Sequence, residues 1–136
     1  FACVQAAEFV MSVAAQQQSV LIVEDDPWLA EQQARTLDKA GYKTTVSPHA
    51  IAAISAVDDV HPDVIILDVL LTGNTAFALL HELQSYGDTG AIPIGLCTNL
   101  AADMDIADVR PYGVRRILDK TTMEPDDLIA AVRSVL

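Results

Sequence analysis

Apolar residues recur in short runs, each ending on a polar or charged group. Val20-Leu21-Ile22-Val23 runs into Glu24-Asp25-Asp26. Val64-Ile65-Ile66-Leu67 runs into Asp68, and Ile94-Gly95-Leu96-Cys97 into Thr98. Ile117-Leu118 leads through Asp119 to Lys120. Short, unbroken apolar runs of this kind read as strands buried on both faces. Longer stretches with helical punctuation lie between them. Asp26-Pro27 opens a helix, with Asp as the cap and Pro in the first turn, and Gly41 ends it after Ala40. Lys43–Val46 is a short second strand. Ser47-Pro48 repeats the cap signal and starts a helix to about Asp59, which His61-Pro62 breaks before the third strand, Val64–Leu67. A helix spans about Thr75 to Tyr86, Ile92–Cys97 is the fourth strand, and a weak helix covers Ala101 to Ala107. Arg115–Leu118 is the fifth strand. Pro125 opens a last helix, with Leu128, Ile129, Val132, Val135 and Leu136 at helical spacing.

Five strands alternating with five helices predict an α/β fold, a doubly wound parallel sheet with helices on both faces. Right-handed crossovers leave few topologies for it. Such sheets bind ligands beyond the carboxyl ends of their strands. Asp25, Asp68, Thr98 and Lys120 fall on that edge. Acids, a hydroxyl and an amine brought together there can hold a divalent cation and receive a phosphoryl group.

The bulk numbers narrow the function classes. A chain of 136 residues suffices for one domain with its own core. Half of the residues are apolar and the mean hydropathy is +0.31, which argues against disorder. The net charge of −11 argues against direct nucleic-acid binding, which needs clustered Lys and Arg. No apolar stretch reaches the ~18 residues of a membrane span. Cys3 and Cys97 form no ligand pattern and read as free thiols in a reducing cytoplasm. Residues 1–18 are rich in Ala, Gln and Val and stand apart as an N-terminal extension or a remnant preceding a domain over residues 19–136. Met11 is an alternative natural start. The segment lacks a basic region, and Glu8 interrupts it, so it is not read as a signal peptide.

From Ser19 to Leu136 the chain resembles the receiver domain of two-component response regulators (CheY-like). The matching pieces are Val-Glu-Asp-Asp at 23–26, Ile-Ile-Leu-Asp at 65–68, Pro93 leading to Thr98, and Asp119-Lys120. The specificity lies in their order and spacing: 43 residues from Asp25 to Asp68, 30 to Thr98, and 22 to Lys120. The resemblance implies the flavodoxin-like strand order 2-1-3-4-5, taken over from the family. It also implies that Asp68 is the phosphoacceptor, a carboxylate nucleophile. Mg²⁺ would be bound directly by Asp25 and Asp68, by the backbone carbonyl of Leu70, and by Glu24 through water. Lys120 would pair with Asp68 and then with a phosphoryl oxygen, and the hydroxyl of Thr98 would turn onto another as the switch. The implied partners are a sensor histidine kinase or phosphotransfer protein and a downstream effector protein. A homodimer is also compatible.

Other residues have plainer readings. Asp26 is a helix cap. His49, His61 and His81 are surface or packing residues, and Trp28 packs or lies at the cleft rim. Asp58-Asp59 and Asp126-Asp127 are solvated helix-end charges. Several positions depart from the family pattern: Thr72 and Ala76 replace the usual Pro and Gly, Asn99 follows the switch hydroxyl, Ile117 holds the usual aromatic place, and Thr121 replaces Pro. A pseudo-receiver that only binds protein is therefore the alternative. A receiver cut from a longer regulator is not separable by sequence. A phosphohydrolase would need a second acid where Leu70 stands.

Overall fold

The computed structural model describes residues 17–68, 75–85 and 87–136. The readings placed on residues 1–16, on Leu70 and Thr72, and on Tyr86 lie outside these.

The strands are β1 (Ser19–Val23), β2 (Lys43–Ser47), β3 (Val64–Asp68), β4 (Ile94–Thr98) and β5 (Val114–Asp119). The helices are α1 (Pro27–Lys39), α2 (Ala50–Val60), α3 (Thr75–Gln84), α4 (Ile106–Val109) and α5 (Pro125–Val135). The strands form one parallel sheet in the order β2-β1-β3-β4-β5. This is the doubly wound topology the resemblance implies. Its order reverses between β1 and β3, which makes the carboxyl ends of those strands the switch point.

Alternation along the strands divides the core. Leu21, Val23, Ile65, Leu67, Ile94 and Leu96 pack with Ala53 and Val57 of α2, Leu79, Leu80 and Leu83 of α3, and Val109 of α4. Val20, Ile22, Val64, Ile66 and Cys97 face Leu37 of α1 and Leu128 and Val132 of α5. Each fully buried Leu or Ile contributes about 1.5–3 kcal/mol, so the three central strands are rigid supports for whatever their ends carry. The edge strands are less buried, which is why Lys43–Ser47 and Val114–Asp119 carry polar residues. Among the described residues, no helix is long and apolar enough to cross a membrane.

Three differences from the sequence reading have a clear local cause. The helix after β2 is capped by His49, whose Nδ1 accepts from the Ala52 N–H at 3.1 Å, so it starts at Ala50 and not at Ser47-Pro48. It ends on His61 in the left-handed region (φ 50°), just before Pro62. The weak helix predicted over 101–107 is a 3₁₀ turn (Ala101–Asp103) followed by α4. The break occurs because the Asp105 carboxylate caps a new turn, accepting from the Ala107 N–H at 2.9 Å. A further 3₁₀ turn through Pro111 then stops at Gly113 (φ 89°). The fourth strand begins at Ile94, not Ile92, because Pro93 has no N–H for the ladder.

Candidate functional site

The site stands on four strand ends. Asp26 turns the chain after β1. Its Oδ1 accepts from the N–H groups of Trp28 (2.9 Å) and Leu29 (3.3 Å), which caps α1 and ends the acidic triplet. The Glu24 N–H donates to the Ser47 carbonyl at 3.1 Å, extending the β1–β2 ladder one residue past Val23. Glu24 is 2% exposed, whereas Asp25 is exposed. Asp68, at the end of β3, is 4% exposed. It lies opposite Cys97 in the β3–β4 register, one residue short of Thr98. Thr98 is fully buried, and its Oγ1 accepts from the Leu100 N–H at 3.0 Å. The Lys120 N–H donates to the Thr98 carbonyl at 3.0 Å, which ties the turn after β5 to the end of β4.

One ammonium joins two strand ends. Lys120 Nζ lies 2.9 Å from each Glu24 carboxylate oxygen and 3.0 Å from Asp68 Oδ2. A single cation cannot neutralise both acids. Burial, with the Asp68 charge adding to it against the pull of Lys120, pushes the Glu24 carboxyl up from 4.5 to about 7. For Lys120, burial alone would lower the pKa. The hydrogen bonds to Glu24 and Asp68 outweigh it and raise the pKa above its ordinary value. The Cys97 thiol beside this cluster is pushed up to about 12, chiefly by burial. Asp119 is held below its usual value by hydrogen bonds from the Thr121 hydroxyl and N–H.

A divalent cation fits these donors. Glu24, Asp25 and Asp68 each offer a carboxylate oxygen, and these atoms all lie within 4.8 Å of one another. Hard oxygen donors, with one acid open to solvent so that water can complete the shell, suit Mg²⁺.

The sequence-derived residues Glu24, Asp25, Asp68, Thr98 and Lys120 thus gather at one edge of the sheet, and Leu70 lies outside the described residues. The expectation that Lys120 pairs with Asp68 is met in the structure. The expectation missed that Lys120 also holds both oxygens of Glu24. Strand alternation turns Glu24 inward and Asp25 outward, but a triplet of acids does not announce which member is buried. Trp28 is 65% exposed beside this edge, and Leu100, after β4, is also exposed. His49 and His61 bound α2, and His81 lies on α3.

Residues 20–133 match the response regulator receiver domain family. The chain belongs to that family. It is 34% identical over 122 residues to the DNA-binding response regulator MtrA of Mycolicibacterium smegmatis, covering 88% of this chain and 50% of that protein. The chain spans about half the length of the curated relatives it matches. Among solved structures, it resembles the signal receiver domain of a signal transduction histidine kinase from Syntrophus aciditrophicus, with 30% identity, a TM-score of 0.73, and 88% and 89% of the two chains covered. The chemotaxis response regulator CheY4 of Vibrio cholerae shares the receiver fold, with a TM-score of 0.77, 22% identity, and 89% and 100% covered. Receiver domains are signalling proteins, and this one carries an acidic cluster compatible with a Mg²⁺ site.

Proposed function

We propose that this receiver accepts a phosphoryl group on Asp68 from a sensor histidine kinase or phosphotransfer protein in the cytoplasm, and passes the signal to an effector protein. The observation that carries this reading is the pair between buried Asp68 and partly buried Lys120 (3.0 Å) beside two further carboxylates. Asp25 and Asp68 would hold Mg²⁺ directly, with Glu24 acting through water and the Leu70 carbonyl as a further ligand. Bound there, the cation would lower the repulsion between the Asp68 carboxylate and the incoming phosphoryl oxygens.

The chain's own residues supply the rest. A carboxylate oxygen of Asp68 attacks phosphorus in line as the bond to the donor's histidine nitrogen breaks. The electron pair leaves on that nitrogen, and Asp68 becomes an acyl phosphate. Lys120 sits where one ammonium can move from the Asp68 carboxylate to a phosphoryl oxygen, a charge-assisted contact. The hydroxyl of Thr98, now accepting from Leu100, has a proton to donate to another phosphoryl oxygen. That rotation would break the 3.0 Å bond to Leu100 and so couple the modification to the loop after β4. The intact Asp68–Lys120 arrangement favours this reading over a pseudo-receiver. Incubation with phosphoramidate and Mg²⁺ should add about 80 Da, one phosphoryl group. Chelator and Asp68→Asn should each abolish the gain, and unchanged labelling in Asp68→Asn would refute the assignment.

A further inference from the structure

Lys120 leaves β5 at a surface turn, yet its ammonium is held among buried carboxylates. The Glu24 and Asp68 carboxylates hold the ammonium at 2.9–3.0 Å, but the flexible four-carbon stem reaches them only if the turn sends it that way. Asp119 ends β5 opposite Thr98 in the sheet register. Its Oδ1 accepts twice from Thr121, from the N–H at 2.9 Å and from the hydroxyl at 2.6 Å. Its main-chain carbonyl accepts from the N–H groups of Thr122 (3.3 Å) and Met123 (2.9 Å). Lys120 itself donates its N–H to Thr98. Beyond the turn, Met123 is anchored against the core, and the Cys97 thiol donates to its Sδ at 3.5 Å. The peptide that follows Lys120 is therefore pinned from both sides, and the side-chain bonds inside the turn join Asp119 to Thr121.

We infer that Asp119 and Thr121 form a clamp that aims the Lys120 ammonium at Asp68, which makes both of them positioning residues for phosphoryl transfer. The inference rests on the reading that Asp68 is the phosphoacceptor. Thr121 is exposed, and neither residue belongs to either core cluster. The clamp thus has little to do for the fold at large. Its effect falls on the direction in which the Lys120 stem leaves the main chain. Without it, the turn between Asp119 and Met123 keeps its ends and loses its middle. The ammonium then spends less time 3.0 Å from Asp68.

The test uses Thr121→Val, which deletes the hydroxyl at nearly constant shape, Thr121→Ser, which retains it, and Asp119→Ala, which removes both side-chain bonds. With phosphoramidate and Mg²⁺, Thr121→Val should label Asp68 more slowly, by up to the about 10²-fold that a 1 Å misplacement can cost. Thr121→Ser should restore the wild-type rate, and Asp119→Ala should lose at least as much as Thr121→Val. In a Lys120→Ala background, Thr121→Val should cause no further loss, because the clamp acts through that lysine. A second readout needs neither cation nor phosphodonor. Acetic anhydride should modify Lys120 faster in Thr121→Val than in wild type, while Lys39 and Lys43 react as before. Equal losses in the presence and absence of Lys120, or unchanged acetylation of Lys120, would overturn the clamp. If wild type takes no phosphoryl group at all, the reading of Asp68 fails instead, and acetylation alone decides the clamp.

Discussion

Replacing Lys120 with Met removes the ammonium shared by Glu24 and Asp68 while keeping the length and much of the apolar stem of the side chain. Both carboxylates are almost fully buried, with exposures of 2% and 4%. Breaking a buried ion pair by removing one partner costs about 3–5 kcal/mol. The lower end applies here, because Glu24 can escape its charge by taking a proton. That escape makes the cost depend on pH. In wild type, the Glu24 carboxyl titrates near 7 when folded against 4.5 ordinarily. A raised folded-state pKa stabilises the fold below the unfolded value, and that contribution is lost as pH rises through the folded value. The wild-type contribution therefore falls between about pH 4.5 and 7 and then levels. In Lys120→Met the ammonium no longer lowers the Glu24 pKa. The titration moves higher, and the loss continues above 7. The gap between the two proteins should widen by about 1.4 kcal/mol per pH unit there, reaching about 3 kcal/mol near pH 8. Urea unfolding of both proteins at pH 6, 7 and 8, with chelator present, measures it. A gap that is the same at all three values, or one that narrows on going from 7 to 8, would refute the idea that Lys120 restrains the charge on Glu24.

Other consequences can be checked independently. Asp26→Ala removes the α1 cap and should cost about 1 kcal/mol in urea unfolding, without changing the slope of the transition. Leu96→Ala, at a fully buried position on β4, should cost about 2–5 kcal/mol by the same assay. Cys97 is 1% exposed with its thiol pushed up to about 12, so iodoacetamide should leave it unmodified in native protein and modify it after denaturation, as read by peptide mass.

The central strands were legible because Val20–Val23, Val64–Leu67 and Ile94–Cys97 are buried on both faces, and burial on both faces leaves an unbroken apolar run. Placing their ends together needed only the rule that parallel strands present carboxyl ends on one edge. Asp26 was legible as a cap because Pro27 follows it, and Pro suits the first turn. What escaped reading was decided by local hydrogen bonds that composition does not encode. A histidine ring capped α2 where Ser47-Pro48 had looked sufficient. Asp105 started a helix inside a stretch that looked continuous. At the site, the acids were visible, but the inward turn of Glu24 and its capture by Lys120 depend on which side of the strand end each residue occupies. The Asp119–Thr121 bonds were likewise hidden, since the pair separates into a strand end and a turn.

The most direct test of the central claim locates the phosphoryl group chemically. An acyl phosphate on aspartate is reduced by borohydride to homoserine, and an unmodified carboxylate is not. Protein treated with phosphoramidate and Mg²⁺, reduced, digested and sequenced by tandem mass spectrometry should carry homoserine at position 68 and aspartate at positions 25, 26 and 119. Homoserine at any of those other positions, or aspartate retained at 68 in protein that has gained a phosphoryl group, would contradict the account.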